Sequence, residues 1–199
     1  MILIVAALKG ELLPLIEYYK INQKENFGGG TLYPSEKVHL LRTGLGMDKA
    51  RYTLSAYLEE YLPIRIINVG TAGALNPEFT IGLMTEPEII YNEKKEIIRP
   101  QPLYDGQYLL KKSKLITVNN PVLTQIQKNK LLKDFNADIV DMEAFVLGSL
   151  ARGKNIEFHN VKIISDYANE QTTDDFKNSY KIITEKLSEY LIKYLDSSL

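Results

Sequence analysis

The chain has no cysteine and no tryptophan among its 199 residues, and only two histidines, His39 and His159. Without cysteine there is no disulfide framework, no thiol nucleophile and no Cys-ligated zinc site. Two scattered histidines do not make a His-rich metal site. Charge of one sign is also missing: 24 Lys+Arg against 25 Asp+Glu leave a formal net charge of −1. Nothing in that balance recruits nucleic acid or an anionic membrane. Long hydrophobic runs are absent too. The opening Met-Ile-Leu-Ile-Val-Ala-Ala-Leu stops at Lys9, short of the roughly 20 apolar residues of a membrane span. No basic stretch precedes it, as one would in a secretory leader. A cytoplasmic protein is expected.

What remains is an ordinary globular composition, 45% apolar and 25% charged, with length for one domain over 1–199 and a core that needs no staples. Ile2–Ala7 is a continuous apolar, β-branched run, the pattern of a strand covered on both faces. Leu12, Leu15, Ile16 and Tyr19 then fall at helical spacing over 11–19, with Pro14 expected in the first turn. Gly28-Gly29-Gly30 marks a turn before a hairpin through 31–33 and 37–43, and 48–61 is a helix. The strand 64–69 is expected to close at Gly70-Thr71-Ala72-Gly73. Short β-like pieces over 81–98 precede a strand at 115–118, a helix at 123–134 and a short strand at 139–141 that enters a helix. A strand at 157–165 and an amphipathic helix at 176–195 close the chain. Strands alternating with helices, with no linker or repeat, predict an α/β fold: a three-layer α/β/α sandwich around a central mixed sheet.

In such sheets ligands bind beyond the carboxyl ends of strands, and here those ends carry small or polar residues. Three carboxylates, Glu11, Glu143 and Asp166, are placed to meet in one cleft. Each also has an ordinary reading. Glu11 suits the first turn of a helix, and Asp166 can cap a turn after a strand. Glu143, among Met142, Ala144, Phe145 and Val146, would be costly if buried without a partner. Gly44-x-Gly46 is a loose match to a dinucleotide fingerprint, but it follows a later strand and no acid closes the next one, so NAD is not expected. Gly70-Thr71-Ala72-Gly73 offers backbone N–H groups with little side-chain bulk, allowing a ligand close approach or simply a tight packing corner.

Taken in order, the segments 4–11, 43–50, 67–75, 140–144 and 164–169 resemble the purine nucleoside phosphorylase/nucleosidase superfamily, and most of all its methylthioadenosine/S-adenosylhomocysteine nucleosidase-like branch. The most specific matches are Val140-Asp141-Met142-Glu143-Ala144 and Ile164-Ser165-Asp166-Tyr167-Ala168-Asn169. The resemblance implies cleavage of an N-ribosidic bond through a cation-like sugar. In it, Asp166 would protonate the departing purine, needing burial to hold its proton at neutral pH, and Glu11 would deprotonate the attacking water. Glu143 would accept the ribose hydroxyls and Met142 would pack on the sugar. Thr71, Ala72 and Gly73 would form the floor, Ser165 would assist Asp166, and Leu45 and Phe176 would complete the pocket, Phe176 near the 5′ group.

Related phosphorylases carry an arginine where Asn68 stands and a G-D-P-x-R motif where this chain has Ala7-Leu8-Lys9-Gly10-Glu11. Glu11 repels a phosphate, so water is the expected nucleophile. Phosphate-dependent cleavage and a nucleoside-binding module without turnover stay open beside it. Val122 and Leu123 stand where the nucleosidases present an aromatic residue to the base, and Lys162 where an arginine commonly precedes the Ile-Ser-Asp segment. Two carboxylates and water suffice, so no metal or organic cofactor is expected. The resemblance also implies a homodimer or larger homo-oligomer, with which the apolar content near Tyr104, Tyr108 and the 44–61 helix is compatible.

Overall fold

A computed structural model of the chain describes residues 1–103 and 110–198; Tyr104 and Tyr108 lie outside the described residues. The chain runs β1 (Ile2–Ala6), α1 (Lys9–Tyr18), β2 (Glu25–Phe27), β3 (Gly30–Tyr33), β4 (Val38–Arg42), α2 (Met47–Glu60) and β5 (Arg65–Ala74). It continues through β6 (Met84–Asn92), β7 (Ile97–Ile98), β8 (Lys111–Thr117), α3 (Gln125–Phe135), β9 (Ile139–Asp141), α4 (Ala144–Gly153), β10 (Glu157–Asp166) and α5 (Thr172–Ser198). The strands form one mixed sheet. β1 lies parallel between β4 and β5, and β5 pairs in parallel with β10. β10 meets β6 antiparallel, β6 and β8 are parallel, β8 and β9 are parallel, and β9 returns antiparallel to β5. Five strands thus close a circuit around the end of β5.

The layers follow from alternation along the strands. In β1, Leu3 and Val5 face one core with Leu54, Tyr57 and Leu58 of α2 and Phe145 and Leu147 of α4. Ile2, Ile4 and Ala6 face the other, with Leu12 and Leu15 of α1 and Ile183, Leu187 and Leu191 of α5. A strand with cores on both sides must be apolar at every position, and all five residues of β1 are buried. Each fully buried Leu or Ile contributes roughly 1.5–3 kcal/mol. A third, smaller core sits under α3, where Leu131 and Phe135 pack near Ile116, Val140 and Ala168.

Four of the differences from the sequence reading have a local physical reason. Helix α1 begins at Lys9, because Glu11 turns back to accept the Leu8 N–H at 2.8 Å. Pro14 consequently lies in the helix interior, where it removes the bond to the Gly10 carbonyl. Gly28 and Gly29, both at positive φ (50° and 77°), make the two-residue turn of a β2–β3 hairpin, adding a strand before the expected pair. Gly70-Thr71-Ala72-Gly73 does not end a strand. It lies inside β5, whose pairing with β10 runs on to Gly73 and with β9 to Ala74. Helix α5 starts at Thr172, before its first apolar residue, with Asp174 and Asp175 in its first turn, where the dipole favours acids.

Candidate active site

The centre of the site is a buried carboxylate held from two sides. Glu11 is 2% exposed. One of its oxygens, Oε2, accepts the Leu8 N–H and so caps its own helix. The other, Oε1, accepts the Thr71 N–H at 2.9 Å and the Thr71 hydroxyl at 3.2 Å. Gly70 makes this approach possible, since a Cβ there would stand 2.9 Å from Glu11 Oε1. Burial pushes the Glu11 carboxyl above its ordinary range, while the Leu8 and Thr71 N–H groups and the Lys162 charge pull it back part of the way.

Glu143 faces it across a small pocket walled by Ala7, Glu11, Leu45, Asn68, Thr71, Glu143 and Lys162, among others. Glu143 is the residue just before α4, and its Oε1 accepts the Gly46 N–H at 2.6 Å from the loop ahead of α2. Burial raises its pKa to about 7, helped by Asp141 and Glu11 and opposed by Lys162 and the Gly46 N–H. Lys162 answers that negative charge. Its Nζ lies 2.9 Å from Asp141 Oδ2, with both side chains nearly fully buried. Asp141 is itself fixed by the Thr117 hydroxyl at 2.7 Å and the Ala144 N–H at 3.0 Å. A buried ion pair tolerates its desolvation only when the remaining lone pairs are met in this way.

Asp166, at the end of β10, stands beside the same stretch of β5 but farther along it. It pairs in register with Gly73, whose Cβ, if present, would lie 2.9 Å from Asp166 Oδ1. Its Oδ2 accepts the Ser165 hydroxyl at 2.6 Å, and its Oδ1 accepts the Ala168 N–H at 2.9 Å and the Thr172 hydroxyl at 3.1 Å. The side chain is buried.

The structure therefore gathers Glu11, Leu45, Thr71 and Glu143 on one pocket. Among the described residues, Ala72, Gly73, Ser165 and Asp166 sit next to it along β5 and β10 without walling it. Met142, partly buried, packs against the core under α3. Phe176 lies half-buried with its ring 4.8 Å from that of Tyr180. Val122 is buried and Leu123 exposed. Asn68 is occupied structurally: its Nδ2 donates to the Val5 carbonyl and its Oδ1 accepts from Asn160. Lys162, singled out where the resemblance has an arginine, is paired with the Asp141 carboxylate. A second cation beside the site, Lys128, was not among the candidates: on a helix with two further lysines it carried no signal. Among the described residues no cluster of three or more His, Asp or Glu side chains is arranged to hold a metal ion.

A family model described as the phosphorylase superfamily matches residues 1–94 and 105–196. A DeoD-type purine nucleoside phosphorylase of Streptococcus pyogenes is 27% identical over 173 residues, covering 77% of this chain and 73% of that protein. A 5′-methylthioadenosine/S-adenosylhomocysteine nucleosidase of Listeria welshimeri is 23% identical over 202 residues, covering 84% and 87%. The crystal structure of a nucleosidase with that name from Helicobacter pylori superimposes with a TM-score of 0.89 at 16% identity, over 98% of this chain and 97% of that one.

Proposed function

The chain belongs to the phosphorylase superfamily, and from that membership we propose that it is a nucleosidase, hydrolysing the N-glycosidic bond of a purine nucleoside or a 5′-modified adenosine derivative. One observation carries the choice of water over phosphate. The donors on β5 that would hold an anion, the Thr71 N–H and hydroxyl, are already taken by the carboxylate of Glu11. A phosphate entering there would meet the negative charge of Glu11 at those donors, while Lys162 is already paired with Asp141.

In this reading Glu11, whose raised pKa suits a proton acceptor, takes a proton from water as the water oxygen attacks C1′. The C1′–N9 bond breaks, its electron pair passes to the purine, and Asp166 delivers a proton to N7. Glu143 grips the ribose hydroxyls, and its charge, with that of Glu11, favours the cationic sugar in the transition state. Met142, Thr71, Ala72, Gly73 and Ser165 shape the floor and the acid, with Leu45 and Phe176 at the edges. Lys162, paired to Asp141, keeps the cluster of acids from expelling one another's charge. The products are free base and the ribose moiety, and no cofactor takes part.

The proposal extends to one domain over 1–199, working in the cytoplasm as a homodimer or larger homo-oligomer. Leu45, a wall of the pocket that is 53% exposed, supports the last point, because a second subunit would cover it. No helix among the described residues is long and apolar enough to cross a membrane.

The test is to incubate the purified protein with adenosine, inosine, methylthioadenosine and S-adenosylhomocysteine, with and without phosphate, and to measure free base. Release without phosphate is expected. Strict dependence on phosphate, with ribose 1-phosphate as product, would make the protein a phosphorylase. Binding with no turnover across the panel would make it a nucleoside-binding homologue.

A further inference from the structure

Lys128 is a buried ammonium that no step above uses. It lies on α3, where Lys130 and Lys133 face solvent while Lys128 is 8% exposed. Its Nζ donates to the Ala74 carbonyl at 2.8 Å and to the Tyr167 carbonyl at 2.7 Å. Those two carbonyls are significant by position. Ala74 follows Gly73 at the end of β5, and Tyr167 follows Asp166 at the end of β10.

The backbone there is irregular. The β5–β10 register shifts between Ile164 and Asp166. Two residues later Ala168, buried and not a glycine, sits at φ +51° with its N–H on Asp166 Oδ1. A left-handed alanine persists only where its surroundings hold it. A buried ammonium is tolerated only where its protons find acceptors. Here the two conditions meet: the strand ends supply the acceptors, and the ammonium ties the strand ends. Burial lowers the Lys128 pKa and the neighbouring Asp166 charge raises it, so the two side chains feel one another.

We infer that Lys128 is a positioning residue for Asp166: by holding the Ala74 and Tyr167 carbonyls on one ammonium, it locks the bulge on which Asp166 stands and sets that carboxyl's place against the leaving purine. The inference rests on Asp166 being the acid of the proposed reaction. It assigns to α3 a part in the bond-breaking step that the helix's solvent-facing sequence does not announce. The sugar grip, Glu143 just before α4, stands on another element and is untouched by it.

The test compares Lys128→Met, which fills the space without donors, and Lys128→Arg, which restores a cation able to reach two carbonyls. Each is assayed with the nucleoside that wild type cleaves best. Lys128→Met is expected to keep the wild-type circular dichroism spectrum, to hold KM within threefold and to lose at least tenfold in kcat. Lys128→Arg is expected to recover kcat to within threefold of wild type. An unchanged kcat in Lys128→Met, a loss that falls in KM, or an Arg variant as slow as the Met one would each overturn the inference. Should Lys128→Met fail to fold, Lys128→Gln takes its place with the same expected split. A wild-type protein that releases no base from any nucleoside of the panel refutes the proposed reaction itself, before any variant is compared.

Discussion

Glu11 and Thr71, 60 residues apart in sequence, are joined by two hydrogen bonds to one carboxylate oxygen, while the second oxygen of Glu11 closes the first turn of α1 on the Leu8 N–H. One side chain therefore fixes the start of α1 against Thr71 of β5. The first-turn acid favoured by local helix physics and the acid aimed into the pocket are the same group, so the two readings of Glu11 do not compete.

Replacing Glu11 with Gln keeps an acceptor for Thr71 and a similar volume but removes the proton acceptor of the proposed reaction. Base release should fall by about 10²–10⁴-fold, the usual range for a lost general base. KM should change much less. Phosphate should not restore the rate, since the amide still occupies the Thr71 donors. Steady-state kinetics with and without phosphate check both points, and a rate within threefold of wild type would remove Glu11 from the reaction.

Glu143 makes stability depend on pH. Its folded-state pKa, about 7, lies above the ordinary value of 4.5, so between those values the folded protein binds a proton that the unfolded chain has lost. The stability this contributes is fully present below pH 4.5, drains away as pH rises, and is gone above about 7. Glu143→Gln, neutral throughout, should match wild type near pH 4 and be more stable at pH 8 by up to about 3 kcal/mol. Catalysis should suffer in the same variant. Thermal melts from pH 4 to 8 decide it, and a stability difference independent of pH would contradict the burial argument.

How much of this was legible follows from where the physics is local. The unbroken apolar run of β1 announces a strand with cores on both faces, and both cores are there. The strand ends predict three acids in one cleft; Glu11 and Glu143 share a pocket with Leu45 and Thr71, while Asp166 stands next to it along β10 without walling it. The extension of β5 through Gly70–Gly73 was not legible, because glycine signals a break by propensity. The reason it is kept is a contact with Glu11 that exists only after folding. Lys128 was equally hidden. In sequence it is one lysine among several on α3, and only the fold turns it inward onto two carbonyls.

Lys162 and Asp141 should behave as a unit. Removing one partner, as in Lys162→Met or Asp141→Asn, strands or weakens a charge in a nearly dry site, and loss of a buried partner costs about 3–5 kcal/mol. Removing both should cost less than the sum of the two, by roughly 0.5–3 kcal/mol. Urea unfolding of the two single variants and the double variant measures the coupling. Additive losses would show that the ion pair contributes little as a pair. Lys162→Met should also drive Glu11 and Glu143 further upward, since Lys162 lowers both.

Gly73 offers the most local probe of Asp166. A methyl group there would stand 2.9 Å from Asp166 Oδ1 and 3.2 Å from both Ala168 Cβ and Val140 Cγ1. The β9 side and the buried Ala168 leave little room to retreat, so the carboxylate is the group that must move. A displacement near 1 Å at a reacting group costs on the order of 10²-fold in rate, and overpacking costs about 1–3 kcal/mol in stability. Gly73→Ala should therefore fold, melt earlier and lose at least tenfold in kcat. Gly153→Ala, where a Cβ meets nothing within 4 Å, should leave kcat unchanged and serves as the control for adding a methyl group. If Gly73→Ala turned over as fast as that control, the carboxylate of Asp166 would not need its observed position, and a different group would have to protonate the leaving purine.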